Sequence, residues 1–145
     1  MEQLKATDLM PMDIVRHKRT KEIIGIFEID EYRNIINNEA DGYCSETNIS
    51  VDDIEPIDLT SEIFQANGFK VDSGYAILDL GDGKWLEYYF YEHRLTMYYE
   101  GTDEWQNHSQ VRDIVCRCQC HYVHQLQQAL RQWYLKDMAN NFKLK

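Results

Sequence analysis

Short apolar runs alternate with polar turn segments through the first 58 residues, a pattern that favours a small β-rich unit. The clearest run is IIGIFEID at residues 23–30, in which successive side chains would point to opposite faces of a strand. Shorter apolar runs lie at residues 14–15 and 54–57. Strands of this length and spacing predict a barrel of SH3-like type over residues 1–58.

The sequence LTSEIFQANGF, at residues 59–69, is a compact helix signal. Thr60 is a favourable N-cap, because its hydroxyl can accept from a free backbone N–H of the first turn. Ile63 and Phe64 supply an apolar side, and Gly68 is a common stop. We expect a two-turn helix that links two sheet regions.

Residues 69–100 predict an antiparallel β-meander with aromatic side chains on both faces. Asp82-Gly83 fits a two-residue hairpin turn between two of its strands. In the strand after this turn, alternation separates two sets of side chains: Leu86, Tyr88 and Phe90 on one face, and Trp85, Glu87, Tyr89 and Tyr91 on the other. Either both faces are covered, or one of them is a contact surface.

The stretch at residues 111–134 joins an alternating strand to the most amphipathic helix of the sequence. At about 100° per residue, its apolar positions fall on one side of the helix. These positions are Tyr122, Val123, Leu126, Ala129, Leu130 and Trp133. We expect this C-terminal helix to pack across the meander, so that residues 59–145 form a second domain. The predicted fold class is therefore α+β: an SH3-like unit, a short linking helix, and an antiparallel meander packed by a C-terminal helix.

Charge is unevenly distributed along the chain, whose formal net charge is -10. Residues 1–58 carry fourteen acidic and six basic side chains, whereas residues 111–145 carry two and six. An acidic body is unsuited to phosphate backbones, so we expect no direct nucleic-acid binding. No apolar run reaches the length of a membrane span, and the N-terminus lacks a signal-peptide core. These features predict a cytoplasmic protein that does not enter membranes.

Three cysteines and two histidines fall within nine residues: Cys116, Cys118, Cys120, His121 and His124. Thiolate and imidazole are preferred zinc ligands. Alternation, however, places the three cysteines on the face of Ile114, pointing into the core, where they lie too close along one strand to bridge easily. His124 falls on the side of the helix opposite its apolar positions. We interpret the cluster as scaffold and confine the metal hypothesis to Cys120, His121 and His124.

A thiol-dependent enzyme is the competing hypothesis for Cys120, His121 and His124, which lie where the predicted strand meets the predicted helix. Cys120 would lie at the start of the helix, where the helix dipole lowers a thiol pKa, with His121 or His124 as the base. HQLQQ at residues 124–128 has the length of a zinc-protease HExxH motif but lacks its Glu and second His. The sequence contains no phosphate-binding glycine loop, nucleophile elbow or dinucleotide fingerprint. It predicts no catalytic set and no cofactor.

Aromatic side chains of the meander and of the polar loop after it are the candidate partner-binding residues: Trp85, Tyr89, Tyr91, Tyr98 and Trp105. Tryptophan and tyrosine dominate the energetics of many interfaces, because each presents a large apolar body with a polar tip. A protein partner is therefore expected.

Three phrases of the sequence resemble a recurring pattern: IEPIDLTSEIFQANGF at 54–69, YYFYEHRL at 88–95 and YVHQLQQAL at 122–130. The pattern is I-x-P-I-x-L-T-x-E…N-G-F followed by an aromatic–V-H-x-L-Q helix. It resembles small uncharacterised proteins of gut anaerobes and their phages and mobile elements. Some of those proteins read HELQH where this chain reads HQLQQ. The resemblance covers about half of the chain and implies a mobile-element setting, without an activity.

Taken together, the sequence favours a non-enzymatic, cytoplasmic protein-interaction or regulatory module. Two alternatives remain open. One is a metal- or thiol-dependent enzyme centred on Cys120, His121 and His124. The other is an acidic mimic of nucleic acid, which requires regularly spaced surface carboxylates.

Overall fold

A computed structural model describes residues 3–38, 42–101 and 111–145. Over these ranges the chain is mixed α+β, with two five-stranded antiparallel sheets and three α-helices, which confirms the predicted class. Internal contacts divide the chain into two compact units. The first unit comprises Met1–Asp58 and Tyr122–Phe142, and the second comprises Leu59–His121 and Lys143–Lys145. None of the described helices is long and apolar enough to cross a bilayer.

The sheet of the first unit contains β1 (Ile14–His17), β2 (Ile23–Ile29), β3 (Asn34–Asn37), β4 (Asn48–Ser50) and β5 (Ile54–Glu55). Their order is β4-β3-β2-β1-β5, and a 3-10 turn at Val51–Asp53 joins β4 to β5. Over the described residues the ladder is open, with β4 and β5 at its two edges. The closed SH3-like barrel is therefore not confirmed. Edge strands of three and two residues leave few backbone groups with which to close it.

Branched aliphatic side chains form the core of this sheet. The buried cluster contains Leu4, Leu9, Val15, Ile24, Ile26, Ile35, Cys44, Ile49 and Ile54. Burial of each large aliphatic side chain contributes about 1.5–3 kcal/mol before the entropy of folding is counted. The register of β2 against β3 shifts between Ile26 and Glu28, and Phe27 at this irregularity is 62% exposed. The core is thus built from one face of the sheet.

Helices α2 (Val123–Gln132) and α3 (Lys136–Asn140) belong to the first unit, not to the meander on which the sequence placed α2. Gln127 is fully buried, and its side chain accepts from Ile14 N (2.8 Å) and donates to Met12 O and Ala139 O (3.0 Å each). The amphipathic pattern placed Val123, Leu126, Ala129 and Leu130 on the buried side of the helix correctly, but it did not identify the sheet against which this side packs.

A buried carboxylate strengthens the attachment of α2. Asp13 is fully buried and pairs with Arg131, while its other carboxylate oxygen accepts from Gln128 Nε2 (2.7 Å) and Met10 N (2.8 Å). Buried carboxylates persist when their oxygens are hydrogen-bonded and paired in this way. Polar side chains of α2 therefore fix it to the turn before β1.

The second unit begins with α1 (Ser61–Ala66). Thr60 is its N-cap, and Thr60 Oγ1 accepts from Ile63 N at 3.3 Å, as predicted. Gly68, with φ of +86°, allows the chain to reverse after the helix, and Phe69 N donates to Phe64 O. Phe64 contacts three other aromatic rings, with centroid distances of 4.6 Å to Tyr88, 5.0 Å to Phe69 and 5.4 Å to Phe90.

The sheet of the second unit is a meander of β6 (Lys70–Asp72), β7 (Tyr75–Gly81), β8 (Lys84–Tyr89), β9 (Arg94–Gly101) and β10 (Val111–Gln119). The spatial order β10-β9-β8-β7-β6 follows the chain. This order confirms the meander predicted over residues 69–100, which contains β6 to β9, and adds β10 at its edge. Asp82 and Gly83 both have positive φ and form the predicted two-residue turn between β7 and β8.

A bulge in β10 changes the predicted cysteine face. Ile114 is opposite Tyr98 and Cys116 is opposite Met97, so Val115 is an extra residue in the ladder. One extra residue reverses the alternation, and Ile114 is 50% exposed. The prediction that Ile114 shares the buried face of the cysteines is therefore wrong.

Candidate functional site

The aromatic face of the meander is centred on a cross-strand pair. Trp85 on β8 lies directly opposite Tyr98 on β9, and their rings stack with centroids 5.6 Å apart. Trp85 Nε1 donates to Glu87 Oε1 at 3.1 Å. Glu87 and Thr96 are neighbours across the same strands, and both are buried. A polar layer therefore lies beside the aromatic pair on this face.

The remaining predicted aromatic residues do not all join this pair. Tyr89 lies at the other end of β8, where Arg94 is 5.6 Å from its ring centroid and Tyr75 packs at 6.0 Å. Tyr91 is 94% exposed in the turn between β8 and β9. Trp105 lies outside the described residues. The structure thus brings together Trp85 and Tyr98 of the five predicted binding residues.

An open cleft of about 440 Å³ lies beside Trp85. Its lining residues come from the hairpin and the strand next to it: Ile77, Asp79, Gly81, Asp82, Gly83, Trp85 and Glu100. The described lining contains three carboxylates and no basic side chain. Asp79 Oδ1 accepts from Gly81 N at 2.8 Å, which helps to fix the wall of the cleft.

Sequence reasoning overlooked the three carboxylates of this cleft, although a signal for two of them was present. Asp79 precedes the Asp82-Gly83 turn by only a few residues, so both acids belong to one hairpin. Glu100 is brought to the turn by the β8–β9 register, and Glu100 N donates to Gly83 O at 2.7 Å. The register of a third strand could not be read from the local pattern.

The cysteine part of the predicted Cys–His cluster lies at the end of β10. Cys118 Sγ and Cys120 Sγ are 3.6 Å apart, with Cys118 half-buried and Cys120 only 1% exposed. The hydrogen bond from Cys120 lowers the pKa of Cys118, against the smaller effect of burial. The same hydrogen bond, with burial, raises the pKa of Cys120. Burial raises the pKa of Cys116, and the neighbouring Cys118 adds to this.

The backbone around Cys120 is held from two sides. Cys120 N donates to His93 O at 2.7 Å, and the Tyr88 hydroxyl donates to Cys120 O at 2.6 Å. Burial raises the pKa of Tyr88, so its hydroxyl remains protonated and available as a donor. The rings of His121 and His93 stack with centroids 4.3 Å apart. Cys120 and His121 are therefore held in the second unit by contacts with His93 and Tyr88.

His124 lies in the first unit, whereas Cys120 and His121 belong to the second. The sequence placed His124 on the solvent side of α2, but it is 2% exposed, so that prediction is wrong. Desolvation lowers its pKa, while the charges of Asp13 and Asp8 act in the opposite direction. Its ring packs parallel to that of Tyr122 at 6.0 Å. Across the described residues, no three His, Cys, Asp or Glu side chains are grouped to hold a metal ion.

Comparison with protein-family models, with curated proteins and with solved structures gave no match. The geometry of the two sites therefore carries the functional argument.

Proposed function

We propose that this chain is a non-enzymatic protein-interaction module that binds a basic segment of a partner protein at the cleft beside Trp85. The observation that carries this proposal is the combination of one aromatic platform with three carboxylates: Asp79, Asp82 and Glu100 around a cleft of about 440 Å³. A lysine or arginine side chain matches both features of this surface.

Charge complementarity supports a cationic partner. Carboxylates that border one concave surface reinforce each other's field, which raises the local concentration of positively charged groups. The net charge of -10 on the whole chain also attracts positively charged partners over a longer range. Contact between a cation and the face of a tryptophan adds about 0.5–2 kcal/mol, depending on how far the cation is desolvated. The same charges disfavour a nucleic-acid partner.

The proposal also includes the finer features expected from the sequence. The strand order β4-β3-β2-β1-β5, with a 3-10 turn between β4 and β5, supports an SH3-like architecture for the first unit. A cytoplasmic location and a mobile-element setting are part of the same proposal, on the basis of the sequence patterns given above.

The test is a titration of the ¹⁵N-labelled full chain with short peptides of alternating lysine and serine, followed by NMR. We expect saturable shifts of the Trp85 indole N–H and of the Gly81 and Gly83 amides. The indole signal is assigned with Trp85→Phe. The matched peptide with glutamate in place of lysine should leave these signals unchanged. Binding of both peptides, or of neither, would overturn the proposal.

A charge-matched pair of variants tests the location of the site. The triple variant Asp79→Asn, Asp82→Asn, Glu100→Gln should weaken lysine-peptide binding by about tenfold or more, which corresponds to about 1.4 kcal/mol. The control variant removes three carboxylates elsewhere in the second unit: Glu62→Gln, Asp72→Asn and Asp113→Asn, all of them exposed. Equal weakening in the two variants would show attraction by net charge alone and would exclude the cleft.

A further inference from the structure

The second unit contains a pair of thiols that the interaction function does not use. We propose that Cys118 and Cys120 form a redox-active dithiol that exchanges with small-molecule disulfides of the glutathione class. The observation behind this is the Sγ–Sγ distance of 3.6 Å between a half-buried and a fully buried cysteine. This site is independent of the proposed cleft.

The end of β10 makes this pairing possible. The ladder between β10 and β9 ends at the Gln119–Arg94 pair, so Cys120 has left the regular strand. In a regular strand, side chains two residues apart project in parallel and their sulfur atoms stay separated. A disulfide bond of about 2.05 Å requires the two sulfur atoms to approach by about 1.5 Å from the observed distance. The sequence-based expectation that these cysteines cannot easily bridge assumed a strand that continues through Cys120.

The two thiols differ in accessibility and in hydrogen bonding. This difference indicates which thiol attacks the reagent disulfide and which one closes the intramolecular disulfide. Cys118 is the more accessible sulfur, and the hydrogen bond from Cys120 stabilises its thiolate. Cys120 is buried, and its backbone is fixed by His93 and Tyr88. Cys118 is therefore the attacking thiol, and Cys120 is the resolving thiol.

The exchange proceeds in two steps. First, the Cys118 thiolate attacks one sulfur of the reagent disulfide, whose S–S bond breaks, and one reagent thiolate leaves. Second, Cys120 gives up its proton and attacks Cys118 Sγ, which forms the intramolecular disulfide and expels the second reagent thiolate. Two electrons pass from the protein dithiol to the reagent, and two reagent thiols are released.

Formation of the mixed disulfide activates the second step. While Cys118 is a thiolate, the hydrogen bond from Cys120 is the largest cause of the raised pKa of Cys120. Once Cys118 is in a mixed disulfide, it carries no charge, and that cause disappears. Closure over a single intervening residue, with Cys120 held by the backbone contacts described above, strains the bond. Strained disulfides are easily reduced, so the site is reversible.

The experiment uses the full chain, reduced and then exposed to oxidised glutathione at neutral pH. After the remaining thiols are alkylated, tryptic peptides are analysed by mass spectrometry. Cleavage after Arg117 and Arg131 leaves Cys118 and Cys120 together in the peptide of residues 118–131, whereas Cys116 is in the peptide of residues 113–117. We expect the 118–131 peptide to lose two hydrogen atoms and to regain them with a monothiol reductant.

Three variants and one internal marker make the result decisive. Cys116→Ser should still form the disulfide, whereas Cys118→Ser should abolish the reaction, and Cys120→Ser should accumulate a glutathione adduct on Cys118. Cys44 is 2% exposed in the core of the first unit and should remain unoxidised, which shows that the chain was folded. A stable adduct in the native chain, a cross-link to Cys116 or between chains, or the absence of any oxidation would overturn the proposal.

Discussion

Branched aliphatic side chains hold the sheet of the first unit, whereas aromatic rings hold the sheet of the second. Both sheets have five antiparallel strands, but their binding and reactive groups differ. In the first unit, the buried polar side chains Asp13 and Gln127 are used to attach a helix. In the second unit, the acidic cleft and the Cys118–Cys120 pair lie at the borders of the sheet. Buried polar groups thus attach a helix in the first unit, whereas the candidate sites of the second unit are an open acidic cleft and a half-buried thiol beside a buried one.

The largest effect that would test this comparison comes from the aromatic core. Phe64→Ala removes a fully buried ring that contacts Tyr88, Phe69 and Phe90. We expect the free energy of unfolding of the second unit to fall by about 3–5 kcal/mol, through lost burial and the cavity left behind. Urea titration gives the magnitude, and hydrogen exchange should show faster exchange in β7, β8 and β9.

The control for this variant is Phe27→Ala, which removes a ring that is 62% exposed. Its effect on stability should stay within about 0.5 kcal/mol. If the two phenylalanine variants cost the same, the description of the second unit as a ring-centred core would be wrong.

A smaller effect is expected from the polar attachment of α2. Gln127→Ala leaves Ile14 N–H and the carbonyls of Met12 and Ala139 without this partner in the interior. The expected loss in free energy of unfolding is about 1–3 kcal/mol. Gln132→Ala changes an exposed residue on the same helix and should be nearly neutral. Equal stability of the two glutamine variants, measured by urea titration, would contradict a structural role for Gln127.

The smallest effect is a pH dependence that belongs to the first unit. Desolvation lowers the pKa of folded His124 below its ordinary value, so the unfolded chain binds this proton more readily. The contribution of His124 to stability is therefore complete above about pH 6.5 and is lost as the pH falls through the lowered pKa. Asp13 and Asp8 face this histidine and moderate the loss.

Unfolding measured at a series of pH values checks this expectation. His124→Gln should flatten the decline in stability below about pH 6.5, because glutamine does not titrate. A variant whose stability falls as steeply as that of the natural sequence would show that other groups are responsible.

Local sequence signals predicted the local geometry well. The Thr60 cap and the Asp82-Gly83 turn were predicted correctly because each depends on residues within a few positions of one another. The order of β6 to β9 followed from the short connections between these strands for the same reason. Features of this kind require no knowledge of distant parts of the chain.

Features that depend on distant residues were missed. The buried side of α2 was visible in its periodicity, but the partner sheet was decided by contacts of Gln127 and Arg131 with residues more than a hundred positions earlier. His124 is buried because the packed surface of α2 extends beyond its apolar positions and includes polar ones. The exposure of Ile114 depends on a single bulged residue, which alternation cannot reveal. The cleft similarly needs Glu100 from a third strand.

The bulge at Val115 also affects how readily another chain could pair with the edge of this sheet. Among the described strands, β10 is an edge of its sheet, and Ile114 and Val115 are both about half exposed there. A regular edge of this kind is a template on which another chain can add a strand. The extra residue interrupts the even spacing of backbone donors and acceptors, so an added strand could not pair continuously along it. The irregularity that displaces Ile114 from the cysteine face thereby protects the sheet from edge-to-edge association.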